Sequence, residues 1–229
     1  MKSIIITGAN GNLGTATVKK FLDEGYKVIA VDSADNNLGF ARNNQQFELH
    51  SVNLADENAA ADFVQQAISK HGTIAGALLL VGGFAMGGID KTAGQDLKKM
   101  YTLNFETAYY TARPLFQHML DNNYGRLVLV GARPALLAEA GKGMIAYALS
   151  KSLLFKLAEF MNAQAKGRNV VASVIVPSTI DTPQNRESMP DADPNNWVKA
   201  EQLAEIMEFI CGNKGQPLRE SVYKVYNNS

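Results

Sequence analysis

The chain has 229 residues, 22 Lys and Arg against 22 Asp and Glu, and 46% apolar residues. That length suits one large α/β unit or two small ones, and the apolar share is enough for a substantial core. Balanced charge argues against a general electrostatic grip on nucleic acid or an anionic membrane. A single cysteine, Cys211, excludes an internal disulfide, and with only three scattered histidines (His50, His71, His118) it argues against a Cys/His metal site.

The apolar run after Met1 is too short for a signal peptide. No apolar stretch reaches the ~18 residues of a membrane span, so a cytoplasmic location is expected. Short apolar runs then alternate with longer amphipathic segments. Ser3–Thr7 reads as a buried strand, and Asn12–Glu24 as a helix with Leu13, Val18, Phe21 and Leu22 on one side. Lys27–Val31 and Phe47–Val52 are a second and a third strand. Asp56–His71 is a helix carrying Ala59, Phe63, Ala67 and Ile68. Ala77–Val81 is a fourth strand, followed by a glycine-rich stretch, Gly82–Gly94. Asp96–Asn122 predicts a long helix, irregular near Arg113-Pro114 because proline lacks the amide a helix interior needs. Arg126–Val130 is a fifth strand, Gly143–Gly167 a second long helix, and Val170–Val176 a sixth strand. Pro177–Trp197 reads as a loop, Lys199–Gly212 as a helix and Ser221–Tyr226 as a last strand.

Strands that are apolar at every residue are buried on both faces. With helices between them they predict a Rossmann-type, doubly wound parallel sheet of about seven strands, flanked by helices on both faces. No linker, repeat or low-complexity segment interrupts the pattern, so residues 1–229 are expected to form one dinucleotide-binding domain.

Directly after the first strand comes Thr7-Gly8-Ala9-Asn10-Gly11-Asn12-Leu13-Gly14. Glycines at this spacing let the turn tighten and let backbone amides, from Gly8 and Asn10 through Asn12 and Leu13 to Gly14, approach a pyrophosphate. The next helix adds its positive dipole end. The motif alone is weak; its place between the first strand and a helix is what gives it meaning. Asp32, closing strand two, suits the ribose hydroxyls of an adenosine and would repel a 2′-phosphate. No Arg or Lys lies in the glycine turn or immediately after Asp32, so NADH is expected to be preferred over NADPH. After strand three, Asn53-Leu54 borders the adenine position, where Asn53 either bonds the base edge or serves as a turn residue.

Tyr147 and Lys151 lie four residues apart, on one face of a helix. A tyrosine is ordinarily a poor acid at neutral pH, but a neighbouring ammonium favours the phenolate. Tyr147 is then a candidate proton donor to a carbonyl or imine, and Lys151 a candidate ligand for the nicotinamide ribose. In an arbitrary helix such a pair sits on the surface; the glycine turn in the same chain favours the chemical reading.

With the glycine turn, Asp32, Asn104 in the long fourth-strand helix, Tyr147/Lys151, and Pro177 and Thr182 after strand six, the chain resembles the short-chain dehydrogenase/reductases from end to end. The resemblance implies that Gly82 and Gly83 border the cofactor and that Thr182, assisted by Thr179, bonds the nicotinamide carboxamide. It also implies that Asn104 holds a water in a proton relay to the lysine; a structural helix asparagine is the alternative. Members commonly pair through the two long helices, both apolar around much of their circumference here, so a homodimer or homotetramer acting on a small molecule is expected.

One departure is informative. Most members carry a substrate-binding serine upstream of the tyrosine, where this chain has Pro134, and no Ser or Thr occurs from Gly125 to Ala146. Either the chain is a degenerate, non-catalytic cofactor binder, or its substrate does not need that hydroxyl. The quinonoid dihydropteridine reductases, a subgroup that also lacks the serine, are similar to this chain in Val81–Ala85, Leu129–Leu136, Gly143–Tyr147 and Asp181–Pro190 through Trp197. This second resemblance implies hydride transfer from NADH to a flat, electron-poor imine, with Tyr147 as acid. It also implies that Phe84 stacks on the substrate, against the alternative of a hydrophobe tucked into the core. Arg133 and Glu139 either line the mouth or belong to the solvated surface. A carbonyl reductase with ordinary ketone substrates is the rival enzyme reading.

Overall fold

The computed structural model describes residues 1–220 and 222–228. Seven strands form one sheet: β1 (Ser3–Thr7), β2 (Lys27–Val31), β3 (Phe47–His50), β4 (Ile74–Leu79), β5 (Tyr124–Val130), β6 (Asn169–Pro177) and β7 (Val222–Val225). Their order is β3-β2-β1-β4-β5-β6-β7, and every neighbouring pair is parallel. The expected doubly wound sheet is therefore present. The expected last strand begins at Ser221, which lies outside the described residues.

Within each central strand the side chains alternate between two cores. Ile5 of β1 and Leu127 and Leu129 of β5 face one cluster; Ile4, Ile6, Val128 and Val130 face the other. Period-two alternation with apolar residues at both phases is what a sheet covered on both sides requires. The first cluster is completed by α2 (Glu57–His71), α4 (Thr107–Asp121) and α6 (Ile145–Gln164), the second by α1 (Asn12–Asp23) and α8 (Ala200–Cys211). Asp56 starts α2 by accepting from the amides of Asn58 (2.9 Å) and Ala59 (3.0 Å), an ordinary N-cap. Among the described residues no helix is long and apolar enough to cross a membrane.

Two expectations are corrected. The segment from Gly94 to Asp121 is helical throughout, but its irregularity is not at Pro114. α3 (Gly94–Tyr101) passes into a five-residue π turn, Thr102–Glu106, before α4 continues through Pro114. The proline is only partly buried, while Leu115, Phe116, Met119 and Leu120 around it are packed in the core; that packing holds the helix despite the lost amide. The Pro177–Trp197 segment is likewise not a plain loop. It contains α7 (Pro183–Ser188), capped by Thr182, and a single 3-10 turn, Pro194–Asn196, capped by Asp193. A further short helix, α5 (Ala138–Gly141), separates β5 from α6.

The edge of the sheet is fastened by one carboxylate. Glu48 on β3 meets Lys27 at 2.8 Å, Lys70 at 2.9 Å, and the ring nitrogens of His71 at 3.2 Å and His50 at 3.5 Å. Burial alone would raise its pKa, but hydrogen bonds from Lys27 and Lys70 and the field of His71 outweigh it and hold the group at about 2. A carboxylate depressed in the folded state stabilises above its unfolded pKa, and that stability is lost as pH falls through the folded value. Glu48→Gln is expected to cost roughly 2 kcal/mol at pH 7. It should also flatten the loss of stability between the ordinary carboxylate range and pH 2, a slope that urea unfolding at a series of pH values would read.

Candidate active site

The site is assembled at the carboxyl ends of β1, β4, β5 and β6, the position at which open parallel sheets bind ligands. Gly8 leaves β1 at φ +65°, a conformation costly for any residue with a Cβ. Gly14, on the first turn of α1, packs so closely that a Cβ there would lie 2.0 Å from the Gly8 carbonyl oxygen. The two glycines let α1 start directly against the turn. Gly11 is the N-cap and offers no side-chain acceptor, so the amides of Asn12, Leu13 and Gly14 begin the helix without a cap. Uncapped amides at a helix start, in a turn that only glycine fits, suit a pyrophosphate.

Asn10 and Asp32 are tied to each other. The Asp32 carboxylate accepts from the Asn10 amide at 3.0 Å and from the Ala34 amide at 3.3 Å. The Asn10 side chain bonds Asn36 and the amide of Asn37, and the Asn37 side chain bonds the Asn10 carbonyl, each at 2.8 Å. The segment after β2 is thus laced to the glycine turn, a bracket that Asn36 and Asn37 complete and that the sequence reading did not find. Asn53 makes a turn with the Ala55 amide at 3.2 Å and is exposed, so the turn reading holds for its oxygen. Leu54 and Leu13 direct their side chains into the core clusters and offer a ligand only backbone.

At the reacting end, Lys151 is buried on α6 and donates to the Val130 carbonyl at 2.8 Å. Burial lowers its pKa to about 8. Tyr147, one turn earlier, is partly covered, and burial pushes its hydroxyl up to about 12. The expectation that the lysine draws the phenol towards phenolate is therefore not met in this state: desolvation governs both groups, and the ammonium is turned towards a carbonyl.

Asn104 is fully buried on the π turn. Its oxygen accepts from the Gly83 amide at 2.7 Å, and its nitrogen donates to the Gly83 carbonyl at 3.1 Å and the Ser150 hydroxyl at 2.9 Å. Ser150 in turn donates to the Tyr147 carbonyl at 2.8 Å. Gly82 fits between the two catalytic candidates: a Cβ there would stand 2.9 Å from Asn104 Oδ1 and 3.0 Å from Lys151 Nζ. The structure thus brings Gly82, Gly83, Asn104, Tyr147 and Lys151 into one constellation. Ser150 is the member the sequence reading missed, although a hydroxyl between Tyr147 and Lys151 was a visible signal.

Phe84 follows directly. It is 59% exposed, and its ring meets the Tyr147 ring edge-on at 5.1 Å, so it is not a core residue. Its loop is pinned to the start of α6 by Gly87, whose amide donates to the Gly143 carbonyl (2.8 Å) and whose carbonyl accepts from the Ile145 amide (2.9 Å). Pro177 ends β6. Thr179 accepts at its carbonyl from the Val198 amide, and Thr182 Oγ1 accepts from the Asn185 amide, which leaves its hydroxyl proton for another acceptor. Asn12 donates to Gln184 at 2.9 Å, so α7 reaches over the glycine turn. Arg133 lies over the Tyr226 ring at 5.5 Å, and Glu139 pairs with Lys142 on the surface.

A seven-stranded parallel sheet with a glycine turn after β1 and a Tyr/Lys pair on the helix after β5 defines a nicotinamide-binding oxidoreductase of Rossmann type. The model of the short chain dehydrogenase family matches residues 2–193, and the chain belongs to that family. It is 25% identical to dihydropteridine reductase of Dictyostelium discoideum over 232 aligned positions, covering 100% of this chain and 96% of the relative. It is also 25% identical to 2,3-dihydro-2,3-dihydroxybenzoate dehydrogenase of Escherichia coli, covering 81% of this chain and 72% of that one. Among solved structures, that described as ElxO with NADP bound superposes with a TM-score of 0.89 at 16% identity, covering 98% of this chain and 96% of that one. The chain is an oxidoreductase of a family that binds NAD(P).

Proposed function

We propose that the protein reduces a flat, electron-poor imine of the quinonoid dihydropterin kind with NADH. The observation that carries this reading is the hydroxyl-free segment between β5 and α6, set beside an intact Tyr147, Lys151 and Asn104. A conjugated imine is already electrophilic and needs little polarisation, so the missing hydroxyl costs it little; a simple ketone would lose more. Resemblance to a dihydropteridine reductase over the whole chain supports the same substrate class.

The nicotinamide, when bound, supplies the hydride. Tyr147 gives the proton, and its raised pKa keeps it protonated at every physiological pH. Lys151, fixed on the Val130 carbonyl and one helical turn from Tyr147, would hold the nicotinamide ribose and supply a positive charge to the site. Asn104 and Ser150 set the position of the Tyr147 turn and of the Gly82-Gly83 backbone. The glycine turn, the Asn53-Leu54 backbone, Pro177, Thr179 and Thr182 would hold the rest of the cofactor, and Phe84 would stack on the substrate beside Tyr147. The test is loss of reduced-nicotinamide absorbance with quinonoid dihydropterin and with a ketone panel. Turnover of the pterin alone is expected; turnover of ketones, or binding of NADH with no turnover of either, overturns the reading.

NADH is favoured because the Asp32 carboxylate, held at the glycine turn by the Asn10 amide, would repel a 2′-phosphate, and Arg42, a cation further along the same segment, is paired with Asp35. In parallel fluorescence titrations NADH is expected to bind at least tenfold more tightly; equal affinity for NADPH removes Asp32 as the selector. We further propose a homodimer, or a tetramer built from it, through α4 and α6, with Leu97 and Tyr101 of α3 alongside. Tyr109, Leu149, Leu153 and Phe160 are exposed there. A light-scattering mass equal to one chain would exclude it.

A further inference from the structure

At the end of the sheet opposite the Tyr147 site, the amino ends of β5 and β6 carry a concentration of positive charge that the oxidoreductase chemistry does not use. A polar pocket of 510 Å³ opens there, lined by Asn123, Lys166, Gly167, Arg168, Asn169, Arg219 and Glu220 among others. Directly behind Asn169 lies Arg126, 1% exposed, with no carboxylate partner among the described residues. Its guanidinium donates to the Gly125, Asn169 and Gln216 carbonyls and to Asn169 Oδ1, at 2.8 to 3.3 Å, while its Nε has no hydrogen-bond partner. Arg219 reaches the same Asn169 oxygen at 3.4 Å, so two guanidinium groups converge on one amide. Arg168 donates to the Leu120 carbonyl at 2.6 Å, and neither it nor Lys166 has a carboxylate partner among the described residues.

Three cations, Lys166, Arg168 and Arg219, thus line one pocket with a single acid among the described residues, Glu220, and Arg126 lies buried behind them. Carbonyl dipoles and the Tyr124 ring solvate Arg126 but do not cancel its charge, and a buried cation without a counter-charge is costly. An anion in the pocket would reduce that cost, and the exposed Lys166 and Arg168 would meet its oxygens, while Arg219 stays bonded to the Gln216 and Leu218 carbonyls. We propose that this pocket is a binding site for a compact polyanion, a small molecule carrying clustered phosphate or carboxylate oxygens, separate from the cofactor site.

Calorimetric titration at low ionic strength, on the protein saturated with NADH to occupy the glycine turn, tests this with pyrophosphate and citrate as probes. One site per chain is expected in the wild type. Lys166→Ala/Arg168→Gln, both on the exposed rim, should weaken it at least tenfold while lowering the unliganded Tm by no more than a few degrees for the lost Leu120 bond, whereas Lys19→Ala/Lys91→Ala, an equal charge loss elsewhere, should not weaken it. Binding of pyrophosphate alone assigns the site to phosphates, and binding of both probes extends it to polycarboxylates. No binding of either probe to the wild type, or equal affinity in all three proteins, overturns the proposal.

Discussion

Tyr147→Phe is expected to bind NADH as the wild type does and to lose about a thousandfold in kcat, the range that removal of a general acid commands. The ring stays, so the edge contact with Phe84 at 5.1 Å survives and the fold is undisturbed. Only the proton is missing. The pH profile of the wild type then identifies its helper. Tyr147 is pushed up to about 12 and remains protonated across the accessible range, whereas burial brings Lys151 down to about 8. The rate of reduction should therefore hold below pH 8 and fall above it, as Lys151 loses its charge. Stopped-flow measurement of single-turnover rates separates this from NADH binding. A flat profile to pH 10 would detach Lys151 from the step, and a near-normal rate for Tyr147→Phe would detach the tyrosine.

Gly82→Ala should be nearly as damaging, though it adds a single methyl group. That methyl would stand 2.9 Å from Asn104 Oδ1 and 3.0 Å from Lys151 Nζ, inside the closest approach a Cβ ordinarily makes. Neither neighbour moves freely: Asn104 is held by the Gly83 amide and Ser150, Lys151 by the Val130 carbonyl. Displacement of the catalytic geometry by a few tenths of an ångström to an ångström is expected to lower kcat about a hundredfold. The Tm should change by only a few degrees, since the rest of the sheet is untouched. Unchanged kcat in a folded Gly82→Ala would show that the Lys151 position is not critical.

The sheet was legible because its central strands are apolar at both phases, a pattern that leaves few alternatives once helices alternate with them. The glycine turn and the Tyr147/Lys151 pair were legible because their spacing is local. Apart from Ser150, whose hydroxyl was in plain view, most of what escaped has no local residue signature. The π turn at Thr102–Glu106 is one extra residue in a helical register, and the partners of its Asn104, Gly83 and Ser150, are remote in sequence. Pro114 drew attention because proline has a known effect in isolation, yet the core around α4 overrode it. The direction of the Tyr147 and Lys151 shifts was also hidden, because it depends on how deeply both are covered and on which carbonyl receives the ammonium. α7 was obscured by its flanking prolines, one of which, Pro183, is in fact its first residue.

The π turn also sets how the gene is free to change in length. The π turn absorbs one residue, so a deletion between Thr102 and Glu106 would keep the turns on either side nearly in phase, whereas a deletion within the regular winding of α4 would swing the preceding turns by about 100° around the axis. Met100, now buried with its sulfur 3.8 Å from the Asn104 amide nitrogen, would leave that position, and the Asn104 clamp on Gly83 would go with it. Along this rod every substitution can be weighed one side chain at a time, but a single codon lost from α4 is a rotation of the whole upstream helix. Descendants of this chain should therefore vary in length within the exposed residues 43–45 and keep the count from Thr107 to Asp121 fixed.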